Sequence, residues 1–185
     1  ATSGDAWRAS AGILAAQVEA QPNDPVFPIA LAGRAFYRRN AALLRDTTGI
    51  DIGLVECGIL QLLWQERELD EASARVAVQR QHGLRADLLS ADDVAEGWPW
   101  LGPCAGAYWS PEDAAVVPDR VVAALRADAA RLGAQFIGDT ALALDRGEYR
   151  VEGIVGAERR YSAGAIVIAA GAWSGASVSA RSSSS

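Results

Sequence analysis

The stretch Ala165-Ile166-Val167-Ile168-Ala169-Ala170-Gly171-Ala172-Trp173-Ser174-Gly175 decides how this chain reads. Its first six residues are apolar without alternation. A strand built from them expects burial on both faces, as in a parallel or layered sheet. The run then ends in Gly171 and small residues. Small residues at the end of a buried strand let the backbone approach something flat or extended, either a cofactor or a neighbouring helix. Trp7-Arg8-Ala9-Ser10-Ala11-Gly12-Ile13-Leu14 has the same character near the other end of the chain. Each segment alone is compatible with plain packing.

Working outward, residues 134–144 read as a strand, and 149–155 with 159–170 as a hairpin whose second arm is the apolar run. Residues 118–132 form the clearest helix. Pro118 suits its first turn, Asp119 complements the dipole, Gly133 ends it, and Val121, Val122, Leu125, Ala129 and Leu132 form a stripe. Residues 104–117 read as two strand pieces around a turn at Pro111-Glu112-Asp113, where acidic residues are ordinary. Ser90 and Asp93 form a capping-box start for a short helix that ends near Gly97-Trp98-Pro99. A charged helix spans 66–82 and stops at Gly83, with His82 at its C-terminal end. Residues 52–64, with Gly53 and Gly58, read as two short strands or one bent strand. A helix over 28–48 turns Ile29, Gly33, Phe36, Tyr37, Asn40, Leu43 and Leu44 to one side and stops at Gly49; Arg38 and Arg39 belong to its solvated face. Asn23-Asp24-Pro25 marks a turn and helix start. Residues 1–23 read as a close-packed loop. Residues 176–185, rich in serine, read as a disordered tail.

The bulk composition narrows the functions. The 185 residues are 50% hydrophobic and 22% charged with net charge -6, the profile of a globular chain. No basic surplus invites nucleic acid, and no apolar run is long enough for a membrane span. The N-terminus has no signal-peptide layout, so the cytoplasm is the simplest address. All 17 basic residues are arginine. A phosphate-loop lysine, a Schiff-base lysine and a Ser–Lys dyad are therefore excluded. One histidine cannot make a multi-histidine zinc site. Cys57 and Cys104 form no C-x-x-C pair and read as buried or half-buried thiols. Trp98, Trp100 and Trp109 are expected to pack a small subdomain. The chain has no methionine, which suggests processing or a fragment of a longer protein.

Taken together and at this separation, the two small-residue segments resemble the FAD-dependent D-amino-acid oxidase superfamily, nearest to its glycine oxidases of thiamine biosynthesis. Ala9-Ser10-Ala11-Gly12-Ile13-Leu14 is similar to that family's flavin loop, with Ile13 where methionine is usual. Glu112 to Pro118 resembles its acidic turn and strand, Leu132-Gly133-Ala134 its helix stop, and residues 169–175 its strand end against the flavin nucleotide. The resemblance implies a mixed α/β chain: part of an FAD-binding Rossmann-like domain plus part of a mixed-sheet substrate domain. It divides the chain into a flavin-loop segment (1–23), a substrate-domain portion (24–117) and a further FAD-domain portion (118–175). It implies FAD contacts at Ala6, Trp7, Ala11, Gly12, Ile13, Leu142, Ala170 and Gly171. At Leu142 only the backbone, facing adenine, would matter.

The implied activity is oxidative deamination of glycine, small amines or D-amino acids to a keto acid, ammonia and hydrogen peroxide. D-amino-acid dehydrogenase and sarcosine-oxidase-like chemistry are the close alternatives. A non-catalytic remnant that binds no flavin is the rival from another class. The partner is a small amine or amino acid, and a homo-oligomer of the full-length parent is left open. No G-x-G-x-x-G occurs, and no arginine matches the family's substrate-binding position, so no catalytic residue and no metal ligand are assigned.

Overall fold

The computed structural model describes residues 6–177. It divides into two compact units, one up to Leu132 and one from Gly133.

In the first unit a 3₁₀ turn at Ala6–Ala9 leads to β1 (Ile13–Leu14) and the single-turn α1 (Ala16–Glu19). Residues 6–23, the described part of the expected loop 1–23, thus hold more regular structure than a loop. At the expected turn, Val26 N–H donates to Asp24 Oδ1 (2.8 Å) and Phe27 N–H to the Asp24 carbonyl (2.9 Å). The helix α2 (Phe27–Thr48) follows and ends where a left-handed Gly49 donates its N–H to the Arg45 carbonyl.

Its buried face differs from the expected one. Phe27, Arg34 and Leu44 are buried, whereas Ile29 is 71% exposed and Phe36 and Leu43 are also exposed. The helix is rotated because Arg34 has a charged partner inside, described below. Hydrophobic spacing alone could not weigh that.

Next come β2 (Ile59–Leu63), α3 (Glu66–Gln81), β3 (Asp87–Ser90), α4 (Ala91–Gly97), β4 (Gly106–Ser110), β5 (Ala114–Ala115) and α5 (Pro118–Arg131). β4 is central in an antiparallel sheet of order β2-β4-β3. α3 begins with a reciprocal capping box between Gln65 and Glu68, and α4 with the expected one between Ser90 and Asp93. His82 caps α3, its Nδ1 2.9 Å from the Val78 carbonyl oxygen.

Two cores hold this unit. Leu44, Ile52, Val116, Val121 and Ala124 join α2 to α5. Leu63, Ala72, Val76, Ala86 and Tyr108 join α3 to the sheet. α5 buries Val121 and Ala124, while Leu125 and Leu132 from the expected stripe are exposed. The helix packs on α2 and on the Ala6–Ala9 turn through a line narrower than the full stripe. Trp98 and Trp109 pack at 5.5 Å, but Trp100 is 76% exposed. Cys57 is exposed and Cys104 half-buried, so burial of Cys57 is not observed.

The second unit is an antiparallel sheet, β6 (Ala141–Arg146), β7 (Val151–Gly156) and β8 (Arg160–Ser162), followed by a 3₁₀ turn at Gly171–Trp173 and α6 (Ser174–Ser177). Residues 134–140 are not in the strand expected for 134–144. Nor do residues 165–170 form a doubly buried strand; they form no strand here, and Val167 is 88% exposed. Among the described residues every strand pairing is antiparallel, so the expected parallel layering is not seen. An apolar run becomes a buried strand only when other strands pair with it, and among the described residues none pairs with this one, although β6 and β7 line a cavity with it. The mixed α/β character itself holds. The disordered tail expected for 176–185 lies, from residue 178 on, outside the described residues. No described helix is long and apolar enough to cross a membrane.

Candidate functional site

Residues 10–14 are shaped by one glycine. Gly12 has φ +75°, the left-handed region. A Cβ there would lie 2.0 Å from the Val116 carbonyl oxygen and 2.9 Å from Pro118 Cδ. Only glycine lets the chain pass so close. Its N–H donates to Ser10 Oγ (3.2 Å), and its carbonyl accepts from Val116 N–H (2.8 Å). β1 then pairs antiparallel with β5, Ile13 opposite Ala115 and Leu14 opposite Ala114.

Beside this crossing is a cavity of about 300 Å³, lined by Trp7, Gly12, Ile13, Tyr37, Val116 and Pro118 among others. The volume lies at the lower end for small-molecule pockets, and the lining is mainly apolar and aromatic. Three expected contact residues, Trp7, Gly12 and Ile13, therefore meet at one cavity. Ala6 opens the 3₁₀ turn that carries Trp7, and Ala11 is exposed immediately before Gly12.

The other three expected residues lie in the second unit. Ala170 lines a cavity of about 240 Å³ with Ala141, Ala143, Ile154, Ile166 and Ile168. Leu142 sits on β6 between two of those lining residues and is half exposed. Gly171, at φ +55°, begins the 3₁₀ turn.

A buried polar hub in the first unit was not foreseen from sequence. Asp113 is the last residue of the expected turn, yet its side chain is wholly buried. Its carboxylate accepts from Arg34 Nη1 at 2.6 Å, from Gln17 N–H at 3.2–3.3 Å and from Val18 N–H at 3.2 Å. Arg34, with a side chain only 7% exposed, also donates to Gln17 Oε1 (2.7 Å). Gln17 Nε2 donates to Gln79 Oε1 (3.1 Å) and to the Arg85 carbonyl (2.9 Å), and Gln79 Nε2 donates to the Gln17 carbonyl (2.9 Å). Tyr108 O–H donates to Gln79 Oε1. The Arg75 guanidinium stacks on the Tyr108 ring at 3.8 Å and donates to the Val18 carbonyl.

Burial pushes the Tyr108 hydroxyl above its ordinary range, an effect that the Arg75 cation opposes. Burial likewise lowers Arg75, while Tyr108 and Asp113 pull it back up. A buried charge needs a partner and further hydrogen bonds, and Asp113 has both. The hub contains no nucleophile poised beside a base. Its chemistry is that of holding. The only sequence signal for it was an arginine in the apolar register of α2, which a solvated reading would absorb. Among the described residues no group of three His, Cys, Asp or Glu side chains could hold a metal.

Residues 1–184 match the family described as DAO, FAD dependent oxidoreductase. The chain belongs to that family. It is 35% identical over 167 residues to a glycine oxidase of Geobacillus kaustophilus, covering 89% of this chain and 44% of that protein. It is 31% identical to a glycine oxidase of Bacillus licheniformis, covering 92% of this chain and 45% of the relative. The crystal structure of the Geobacillus kaustophilus glycine oxidase superposes with a TM-score of 0.82 at 34% identity, covering 91% of this chain and 46% of that one. The chain therefore spans under half the length of these relatives. For a family that uses FAD, the Gly12 crossing is an observation that fits the cofactor: the missing Cβ lets residues 116–118 pack directly on the loop, and a small apolar cavity lies beside that crossing.

Proposed function

We propose that this chain carries the flavin-facing part of a glycine oxidase-like amine oxidase. The single observation that carries this is the Gly12 crossing beside the cavity of Trp7, Ile13 and Tyr37, inside the matched family region. Trp7, Gly12 and Ile13, with the neighbouring Ala6 and Ala11, would hold the ring end of FAD. In the second unit, taken by itself, Leu142, Ala170 and Gly171 would offer backbone to a nucleotide. On this reading residues 1–23 and 118–175 belong to the FAD domain and 24–117 to the substrate domain.

Bound FAD would supply the two-electron acceptor. The chain's own contribution is positional. Backbone dipoles of this loop, fixed before the reaction, would favour negative charge on a ring held there with no reorganisation cost, the Gly12 N–H itself being given to Ser10 Oγ. Trp7 and Tyr37 present apolar surface that limits water in the cavity. Overall, glycine, dioxygen and water would give glyoxylate, ammonia and hydrogen peroxide. A place in thiamine biosynthesis and a cytoplasmic address belong to the same reading.

The test is peroxide release by the polypeptide that contains this chain, supplied with FAD and a panel of glycine, sarcosine and D-alanine. Turnover fastest with glycine is expected. Turnover only with an artificial electron acceptor would favour a D-amino-acid dehydrogenase instead. A second reading is a module that binds no flavin. It predicts no peroxide with any amine and no retained flavin.

A further inference from the structure

We propose that Asp113, held by Arg34, is a positioning residue that fixes the backbone facing the flavin; the inference rests on the flavin reading above. One short segment, residues 113–118, grips both ends of residues 12–18. At one end its backbone does the work. Ala114 and Ala115 pair with Leu14 and Ile13, and Val116 N–H donates to the Gly12 carbonyl. At the other end a side chain does it. The Asp113 carboxylate accepts from the N–H groups of Gln17 and Val18, more than ninety positions away in sequence.

Those two N–H groups open α1, whose N-cap, Ala15, has no side chain able to accept them. Asp113 therefore supplies the missing cap from a distance. A one-turn helix has no stability of its own, so its place depends on what holds it. Arg34 completes the device. Its Nη1 donates to both Asp113 Oδ1 and Gln17 Oε1, balancing the buried charge and tying α2 to the same strip, while Nη2 lies 3.6 Å from Glu112 Oε2. Gln17 continues the link to Gln79 of α3 and to the Arg85 carbonyl. Loss of the carboxylate would release residues 15–18 first. It would then loosen the two-residue β1 and the Gly12 crossing that leads directly into it.

The experiment compares the wild-type chain with Asp113→Ala, Asp113→Asn and Val94→Ala. Val94 is buried in α4 and its apolar side chain can make no hydrogen bond to any of these groups, so its variant controls for general loss of stability. Two readouts are taken: amide hydrogen exchange of residues 12–18, and FAD affinity by titration. Asp113→Ala should raise exchange across 12–18 and weaken FAD by roughly tenfold or more, beyond Val94→Ala at matched stability. Asp113→Asn keeps an acceptor without the charge, and it should recover part of both. If Asp113→Ala does not fold, the Asn variant carries the test alone. Equal behaviour of the Asp113 and Val94 variants in both readouts would overturn the proposal. If the wild-type chain binds no FAD, the flavin reading fails, and unchanged exchange at 12–18 in the Asp113 variants would separately overturn the clamp.

Discussion

Replacing Gly12 by alanine puts one methyl group where the backbone of residues 116–118 already lies. The left-handed φ of +75° costs an alanine about 1–2 kcal/mol. The new Cβ would sit 2.0 Å from a carbonyl oxygen, which cannot rotate away as a side chain could. The strands must part, and the hydrogen bond from Val116 N–H to the Gly12 carbonyl goes with them, at about 1 kcal/mol. The sum is about 2–3 kcal/mol, or a fall in Tm of roughly 7–11 °C for a unit of this size. Urea unfolding followed by tryptophan fluorescence measures it. Gly33 supplies a control of opposite sign: it lies inside α2, and a Cβ there meets nothing within 4 Å. Gly33→Ala should stabilise by about 0.5–1 kcal/mol. A loss below about 1 kcal/mol for Gly12→Ala would refute the claim that the chain crosses here only because of glycine.

Arg34→Met leaves the Asp113 carboxylate buried without its cation and should cost about 3–5 kcal/mol in the same unfolding assay. Ser90→Ala removes the α4 cap at about 1 kcal/mol; because the Ser90 hydroxyl is the main influence holding Asp93 below its usual range, NMR titration should find the Asp93 carboxyl returned toward ordinary aspartate. Tyr108 is raised by burial, so the stability it confers as a neutral phenol is fully present below the unfolded value of about 10 and is lost as pH rises above that toward the folded value. Tyr108→Phe should therefore flatten the alkaline decline in denaturation midpoint, while losing about 1 kcal/mol at neutral pH with its hydrogen bond to Gln79.

What could be read from sequence follows the range of the interaction. Gly49, Ser90 with Asp93, and Pro118 act within one turn of chain, and each marks an element end where the spacing placed it. The exposed Ile29 and the buried Arg34 on α2 were not legible, because the helix rotation is set by Asp113, 79 positions away. The same holds for Asp113 itself. A turn aspartate and a buried helix cap look alike until the partner N–H groups are known. The apolar run at 165–170 shows the converse: its composition asks for burial, but burial needs neighbouring strands, which no local pattern supplies. Of the candidate site, Trp7, Gly12 and Ile13 were named through the family resemblance and not by a local pattern, and they line one cavity. The Asp113–Arg34 hub behind them was not legible.

If the backbone at Gly12 faces a flavin, this chain should take up FAD, and the bound spectrum reports it directly. Titration of the purified chain with FAD, followed by visible difference absorption and flavin fluorescence, should saturate with an affinity of roughly 10 μM or tighter and show a resolved, perturbed flavin band. Gly12→Ala should weaken that binding. A spectrum indistinguishable from free FAD at about 100 μM flavin, with the chain folded, would contradict the assignment.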